Sequence, residues 1–371
     1  MLNPLNFLNR LFVKRLPAYV ERGVSAVPGG RRLLNFLKSV THYVMRSKNP
    51  LLQLFYLALV LGGYAIFLVR LLPHVPGNGI LGPIHAYTSH MAVAFIMYTF
   101  YKASVVGPGN AFDVKHANCY AYDGFLYVHR DCRTCHKRKP ARSKHCALCQ
   151  TCVPRFDHHC PWINQCVGED NYRWFLLFIG WNALFLTYAS YVLGAILLWI
   201  TVEQKLWSMQ YTHRPSGKIV SASWQIVFQY MMAGFGLEMC LLVLCAVMAV
   251  VMYGFLGYHL HLIFENTTTN ESEKWGGVED YYRWLKNNPK EESSIKRESE
   301  VIRPDFPKAL EDRKDEEFPE TMPTNAYELG SYYKNLMEVI YPRSTTHAEA
   351  AATAAQPEKT KRKKKSAKKT R

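Results

Sequence analysis

Cysteine is sparse in this chain, acidic charge is outnumbered, and several long stretches carry no charge at all. Each absence closes off a class of protein. Ten cysteines in 371 residues are too few for a disulfide-dense secreted scaffold. The first 50 residues carry scattered positive charge but lack the apolar core and cleavage site of a secretory signal. With 49% hydrophobic and 13% aromatic residues, the chain is not wholly disordered. The net charge of +16 is local: nine Lys and Arg lie between Lys359 and Arg371, a block expected to stay disordered.

The uncharged stretches are long enough to matter physically. A membrane-crossing helix needs ~20 mostly apolar residues. Leu51–Val69, Leu81–Tyr101, Trp174–Ile200 and Met239–Phe264 hold no Asp, Glu, Lys or Arg. The second is the weakest, because His85 and His90 lie within it. Glu238 precedes the fourth, and Trp224–Leu237 before it is apolar enough to lie in or on the bilayer. Four buried helices of a soluble protein would carry a charged face. The expected fold class is therefore an α-helical multi-pass membrane protein with four transmembrane helices.

Lys and Arg crowd the region before the first span, the loop from Lys102 to Arg173 and the C-terminal region, whereas loops 71–80 and 201–223 hold few. The positive-inside bias puts both termini and the middle loop in the cytosol. Leu2–Val13 and Leu33–Val44 read as amphipathic helices at the membrane surface, with packing helices or disordered arms as the alternative. Two sequons, Asn266-Thr267-Thr268 and Asn270-Glu271-Ser272, follow the fourth span and are expected to carry no glycan.

The middle loop concentrates the chemistry. Cys132, Cys135, Cys146, Cys149, Cys152, Cys160 and Cys166 lie there, interleaved with His136, His145, His158 and His159. A reducing cytosol disfavours disulfides. Paired Cys-x-x-Cys spacings point to metal, and thiolate plus imidazole in fours suit zinc. The loop has no long apolar periodic run, so metal must hold it together. Two zinc ions need eight ligands. Seven cysteines with His145 supply eight, and so do six cysteines with two histidines; spacing leaves both open. Asp157-His158-His159-Cys160 adds an acid, an imidazole and a thiol in four residues. Such groups either make a thiolate nucleophile with its base and orienting acid, or are all metal ligands and their supports.

Taken together, Cys132-x2-Cys135, Pro140-Ala141-Arg142, His145-Cys146, Cys149, Cys152, Asp157-His158-His159-Cys160-Pro161-Trp162, Asn164, Cys166-Val167-Gly168 and Asn171 resemble the cysteine-rich domain of the DHHC protein S-acyltransferases. Thr268-Thr269-Asn270-Glu271 resembles that family's TTxE motif. Asn325-Ala326-Tyr327, Gly330 and Asn335 resemble its C-terminal motif, whose Asn packs against TTxE. The resemblance implies a cytosolic zinc-stabilised cysteine-rich domain between helices 2 and 3. One structural Zn²⁺ would take Cys132, Cys135, His145 and Cys152, and a second Cys146, Cys149, His159 and Cys166. Cys160 is left as nucleophile, His158 as general base and Asp157 as its orienting partner. It implies a protein-cysteine S-palmitoyltransferase: Cys160 takes palmitate from palmitoyl-CoA, and a substrate cysteine takes it from Cys160. The acyl chain is expected among the spans, with Phe185 near its end, and Lys139 and Arg155 are charge-compatible with CoA phosphates. Gly107-Pro108-Gly109 stands where the family has Asp-Pro-Gly, and Asn164-Gln165 where it has Asn-Asn.

The run Arg138–Cys146 is similar to the fungal spore-wall-formation-type branch and its animal counterpart, which acts on membrane proteins with juxtamembrane cysteines, SNAREs included. Lys368 and Lys369, fourth and third from the end, resemble a dilysine signal for retrieval to the endoplasmic reticulum; a lipid-binding basic tail is the alternative. The expected layout is 1–50 N-terminal region, 51–105 helices 1 and 2, 106–173 cysteine-rich domain, 174–264 helices 3 and 4, 265–340 C-terminal region and 341–371 basic tail. Residues 291–320 read as a charged linker, and Glu279–Asn288 as a short helix. Cys240 and Cys245 read as small buried side chains, and Cys119 as structural or autoacylated. Partners are palmitoyl-CoA, cysteine-containing membrane proteins and the bilayer, with no specific nucleic acid. The rival from another class is a catalytically inactive zinc-scaffold membrane protein.

Overall fold

The computed structural model describes residues 27, 30–75, 77–212, 217–287, 319 and 321–345. The expected helix Leu2–Val13, most of the 291–320 linker, most of the basic tail and the dilysine lie outside them. Two compact units are present. One combines Met1–Asn49, Gly107–Tyr172 and Leu262–Arg371; the other combines Pro50–Val106 with Arg173–His261.

The second unit is helical and apolar. Its helices are α2 (Leu51–Ile66), which continues through a π turn and a 3-10 turn to His74, α3 (His85–Val105), α5 (Tyr172–Glu203) and α6 (Trp224–Phe264). Among the described residues three stretches, Leu51–His74, Tyr172–Glu203 and Trp224–Phe264, are long and apolar enough to cross a membrane. The α3 helix, with 21 residues, is ~31 Å long, close to a bilayer's apolar thickness, but its polar residues dilute it. It begins four residues later than the uncharged run, at His85. Its histidines are tolerated because they have partners: His90 Nδ1 lies 2.6 Å from the Tyr64 hydroxyl, and His85 Nδ1 3.1 Å from that of Tyr188. The core gathers Phe67, Leu71, Val192, Ile196, Ile200, Leu206 and Met231. The Trp224–Leu237 stretch and the fourth span form one helix, kinked at Phe235. Beside the kink, Arg70 donates to Glu238 at 2.6 Å and to the Gly234 carbonyl at 3.0 Å. Those bonds explain how a carboxylate survives there. Phe185 is half-buried on α5.

The first unit has little regular structure. α1 (Gly30–Arg46) carries the expected amphipathic stretch, and Asn49 closes it by donating to the Tyr43 carbonyl at 2.7 Å. After α4 (Val114–Ala117) come two antiparallel hairpins. In one, β1 (Lys144–Cys146) pairs with β2 (Thr151–Val153); in the other, β3 (His158–Cys160) pairs with β4 (Gln165–Val167). A third hairpin, β5 (Gln210–Thr212) with β6 (Ile219–Ser221), belongs to the helical unit. The C-terminal part supplies α7 (Thr269–Asn287) and α8 (Tyr332–Ile340). The short helix expected at Glu279 is thus the end of a 19-residue one that begins at the TTxE motif.

Candidate active site and metal centres

The hairpins place their ligands by register. His145 is opposite Cys152, and His159 is opposite Cys166. Each cross-strand pair joins a Cys-x-x-Cys from the preceding turn. Two clusters result: Cys132, Cys135, His145 and Cys152, and Cys146, Cys149, His159 and Cys166. Within each set the four ligand atoms lie within 4.8 Å of one another. Cys135 Sγ is 3.3 Å from His145 Nδ1 and 3.8 Å from Cys152 Sγ; Cys149 Sγ is 3.4 Å from His159 Nδ1 and 3.5 Å from Cys166 Sγ. Sulfur and nitrogen around one tetrahedral zinc would stand about 3.5–3.8 Å apart. Each set is therefore shaped to hold a metal ion with no open position.

The two clusters are a repeat. Every ligand of the second lies fourteen residues after its counterpart in the first. The backbone repeats as well: His136, Gln150 and Asn164, also fourteen apart, all have positive φ, at 52°, 54° and 52°. Each closes the tight turn that follows a Cys-x-x-Cys or its equivalent. The third turn begins at Cys160, but Ile163 stands where the second cysteine would be. The thiol of Cys160 is left outside both clusters because its turn lacks the rest of a ligand set.

Strand alternation then sorts the histidines. Successive side chains on β3 point to opposite faces, so His158 and Cys160 share one face while His159 turns to the metal cluster. His158 Nδ1 is 2.5 Å from Asp157 Oδ2. Burial favours neutral His158, but hydrogen bonds to Asp157 and then to Cys160 favour the charged form, and its pKa is pushed up to about 10. Gly168 is required just past β4, since a Cβ there would meet Val153 at 2.5 Å and the Pro154 carbonyl at 2.8 Å.

The support for Asp157 comes from far along the chain. The Thr269 N–H donates to Asp157 Oδ1 at 2.7 Å, and its hydroxyl to Oδ2 at 2.9 Å. Thr269 begins α7, whose cap is reciprocal. The Glu271 N–H donates to the Thr268 hydroxyl at 3.2 Å, and the Thr268 N–H to Glu271 Oε2 at 3.0 Å. This capping box satisfies two of the helix's otherwise orphaned N–H groups. The same carboxylate receives buried Arg142 in a two-pronged pair of 2.8 and 2.6 Å, and the Tyr127 hydroxyl at 3.0 Å. Burial opposes ionisation of Glu271, but Arg142 holds its carboxyl below the usual carboxylate range. Arg142 also reaches the carbonyl of Asn266 at 2.9 Å. The TTxE motif is thus a helix start whose ends grip Asp157 and the cysteine-rich segment.

Two sequence expectations change here. Arg155 is buried and donates to Asn266 Oδ1 at 3.0 Å; it is a structural cation and cannot meet a phosphate in solvent. Asn266 is 0% exposed, and its amide nitrogen donates to Tyr327 O and Glu338 Oε2, both at 2.8 Å. Burial alone denies a glycan to Asn266, so that sequon does not test topology. Asn335 donates to the Phe264 carbonyl at 2.9 Å and accepts from the Asn266 amide at 3.4 Å, which puts it beside TTxE.

Cys119 is buried, with its thiol 2.8 Å from the Lys115 carbonyl, and burial followed by the Glu169 charge pushes it up to about 11. Those features suit a structural residue. At Gly107-Pro108-Gly109 the nearby carboxylate is Asp170, whose N–H donates to the Pro108 carbonyl at 3.3 Å and whose Oδ2 lies 2.7 Å from Lys115 Nζ. Burial raises the pKa of Asp170, but His116 and Lys115 bring it down to about 2. Sequence reasoning missed Arg142, Thr269 and Asn266 as supports; the two-residue strings Thr268-Thr269 and Ala141-Arg142 gave no sign that they meet.

Two closed metal clusters, a thiol excluded from both, and an acid–imidazole pair beside it define a thiol-chemistry protein with membrane-length helices. The family model described as DHHC palmitoyltransferase matches residues 127–276. The chain is 32% identical over 279 residues to palmitoyltransferase swf1 of Schizosaccharomyces pombe, covering 73% of this chain and 72% of that one. It is 29% identical over 285 residues to the Neurospora crassa palmitoyltransferase SWF1, covering 73% and 64%. It is 35% identical over 153 residues to mouse palmitoyltransferase ZDHHC4, covering 41% and 44%. The chain belongs to the DHHC palmitoyltransferase family, the protein-cysteine S-acyltransferases, and its similarity is to the swf1 branch that the Arg138–Cys146 run indicated.

Proposed function

We propose that this palmitoyltransferase works through Cys160 in two steps, with His158 as proton carrier and Asp157 as its orienting acid. The observation that carries the reading is that Cys160 alone of the seven cysteines from Cys132 to Cys166 belongs to neither ligand set, yet it shares a strand face with His158. In the first step the Cys160 thiolate attacks the thioester carbonyl of palmitoyl-CoA. The C–S bond to CoA breaks, and the departing thiolate takes a proton from His158. In the second, His158 takes the proton of the substrate thiol, whose sulfur attacks the Cys160 thioester and releases the Cys160 thiolate. Asp157 keeps the His158 ring turned so that the same nitrogen serves both steps.

The ions are two structural Zn²⁺. Cys132, Cys135, His145 and Cys152 hold one, and Cys146, Cys149, His159 and Cys166 the other. When bound they lock the turns that carry β3. The CoA phosphates are met by Lys139 together with Arg130, Lys144 and Lys274. Burial and then these like charges, against the pull of Glu271, press Lys274 down to about 8, a repulsion that a bound polyanion relieves. We further infer four spans, α3 being the second, with both termini and the cysteine-rich domain cytosolic, and residence in the endoplasmic reticulum membrane. Membrane proteins with cysteines beside their spans, SNAREs among them, are the acceptors.

The test is acyl labelling of the full-length protein. Wild type carries a hydroxylamine-labile acyl group; Cys160→Ala loses it while keeping two zinc ions per chain. Transfer that persists in Cys160→Ala would sink the assignment. Absence of labelling in wild type, with zinc retained, would instead favour the inactive scaffold.

A further inference from the structure

The α8 helix is built inside out for a protein in water. Its buried residues are Asn335, Glu338 and Val339. The two polar ones are tied down: Asn335 to the Phe264 carbonyl, Glu338 to the Asn266 amide, to Arg343 at 2.9 Å and to the Tyr120 hydroxyl at 2.8 Å. At 100° per residue, Tyr332, Leu336, Ile340, Tyr333 and Met337 fall on the opposite side. That side faces outward, with Tyr333 68% exposed and Tyr332 and Ile340 each 39%. A surface helix normally turns its apolar stripe to the core and its polar face to solvent.

We propose that the outer face of α8 is a membrane-interface anchor, lying at the boundary between headgroups and acyl chains. The occupant is a lipid bilayer, and the argument is continuity. Phe264, the last residue of α6, is 57% exposed, and its ring stands 6.2 Å from that of Tyr332. The aromatic patch of α8 therefore meets the exposed last residue of a helix long and apolar enough to cross a membrane. Its composition fits the depth: tyrosines combine an apolar ring with a hydroxyl that stays hydrated and concentrate at membrane–water boundaries. The buried side of the same helix ties that anchor to the platform under Asp157, through Asn335, Asn266, Arg142 and Glu271. A bilayer contact thereby fixes the height of the site's support. The proposal rests on α6 crossing the bilayer.

The experiment uses the full-length protein in lipid nanodiscs. A solvatochromic fluorescent residue replaces Tyr333, Val250 or Val114 in three separate proteins, each checked for acyl transfer. Val250 lies on the outward side of α6 and is 73% exposed; Val114 lies on α4 and is 95% exposed. The expected result is that the Val250 label is quenched by lipids brominated deep in the chains. The Tyr333 label is quenched at least about twofold more by shallow than by deep bromines, and the Val114 label responds only to aqueous iodide. If the Val250 label behaves as expected and the Tyr333 label responds only to iodide, the anchor is overturned while the α6 reading stands. If the Val250 label escapes all bromines, the α6 reading falls and the anchor with it. A Tyr333 label shielded from both quenchers, with energy transfer between copies, would make the face a contact with a second copy and also overturn it.

Discussion

The β1–β2 and β3–β4 hairpins have the same length, the same pairing and the same closing turn, yet their ends do different work. On β1 both His145 and Cys146 belong to metal-shaped clusters, each to a different one. On β3 the equivalent residues are His159 and Cys160, and only His159 belongs to such a cluster. The backbone at the two turns is nearly identical, with Gln150 at φ 54° and Asn164 at φ 52°. What differs is the fourth position of the turn, Cys149 in one and Ile163 in the other. The proposed nucleophile thus arises by subtraction: a ligand position is kept while the partners that would occupy it are missing. The comparison also separates two means of support. The first hairpin contributes to both metal-shaped clusters, whereas the second contributes to one and has the acid at its base held from the start of α7.

The largest contrast is between the equivalent thiols. Cys160→Ala should abolish acyl transfer, a loss of at least about 10³-fold, while the protein stays folded. Cys146→Ala should lose one zinc and the local fold, since such sites supply the folding energy of a segment with little apolar core. Zinc stoichiometry and thermal unfolding on both variants would expose any equivalence between the two positions. Next, Arg142→Ala strips the buried Glu271 of its partner and should cost about 3–5 kcal/mol. A denaturation midpoint close to wild type would mean that the second hairpin does not depend on the α7 platform. Smaller again, Thr269→Val removes the hydroxyl bond to Asp157 but keeps the backbone one. We expect kcat to fall about tenfold with zinc content unchanged, and an unchanged kcat would remove Thr269 from the support of Asp157. The smallest effect is expected of Ile163→Cys, which restores Cys-x-x-Cys in the third turn. Arg173 occupies the position fourteen residues after His159, so no tetrahedral set can be completed. Under reducing conditions stoichiometry should stay at two zincs and transfer within about threefold of wild type; a third ion would break the idea of subtraction.

Much of the site was legible from residues because its chemistry is local. Spacing gave the Cys-x-x-Cys pairs, and the resemblance assigned the ligand sets that the hairpin register later produced. The supports were not legible. Arg142 and Glu271 are 129 residues apart, and no periodicity links a cysteine-rich loop to a helix start beyond the fourth apolar run. Arg155 was misread for a related reason: a cation in a basic loop looks solvent-facing until the fold shows Asn266 waiting for it. In the helical unit, the uncharged runs gave the helices, but composition could not say that His85 and His90 have tyrosine partners.

The sequence by itself determined where the apolar helices lie, that the paired cysteines and histidines of the middle loop suit metal, and which acid, imidazole and thiol are neighbours in the chain, because these follow from hydropathy and from spacings along a few turns of chain. Only the tertiary structure decided that Arg142 clamps Glu271, that Thr269 holds Asp157, and that α8 turns its polar side inward. Those outcomes depend on buried hydrogen bonds between residues far apart in the chain, each of which must find a partner once water is excluded.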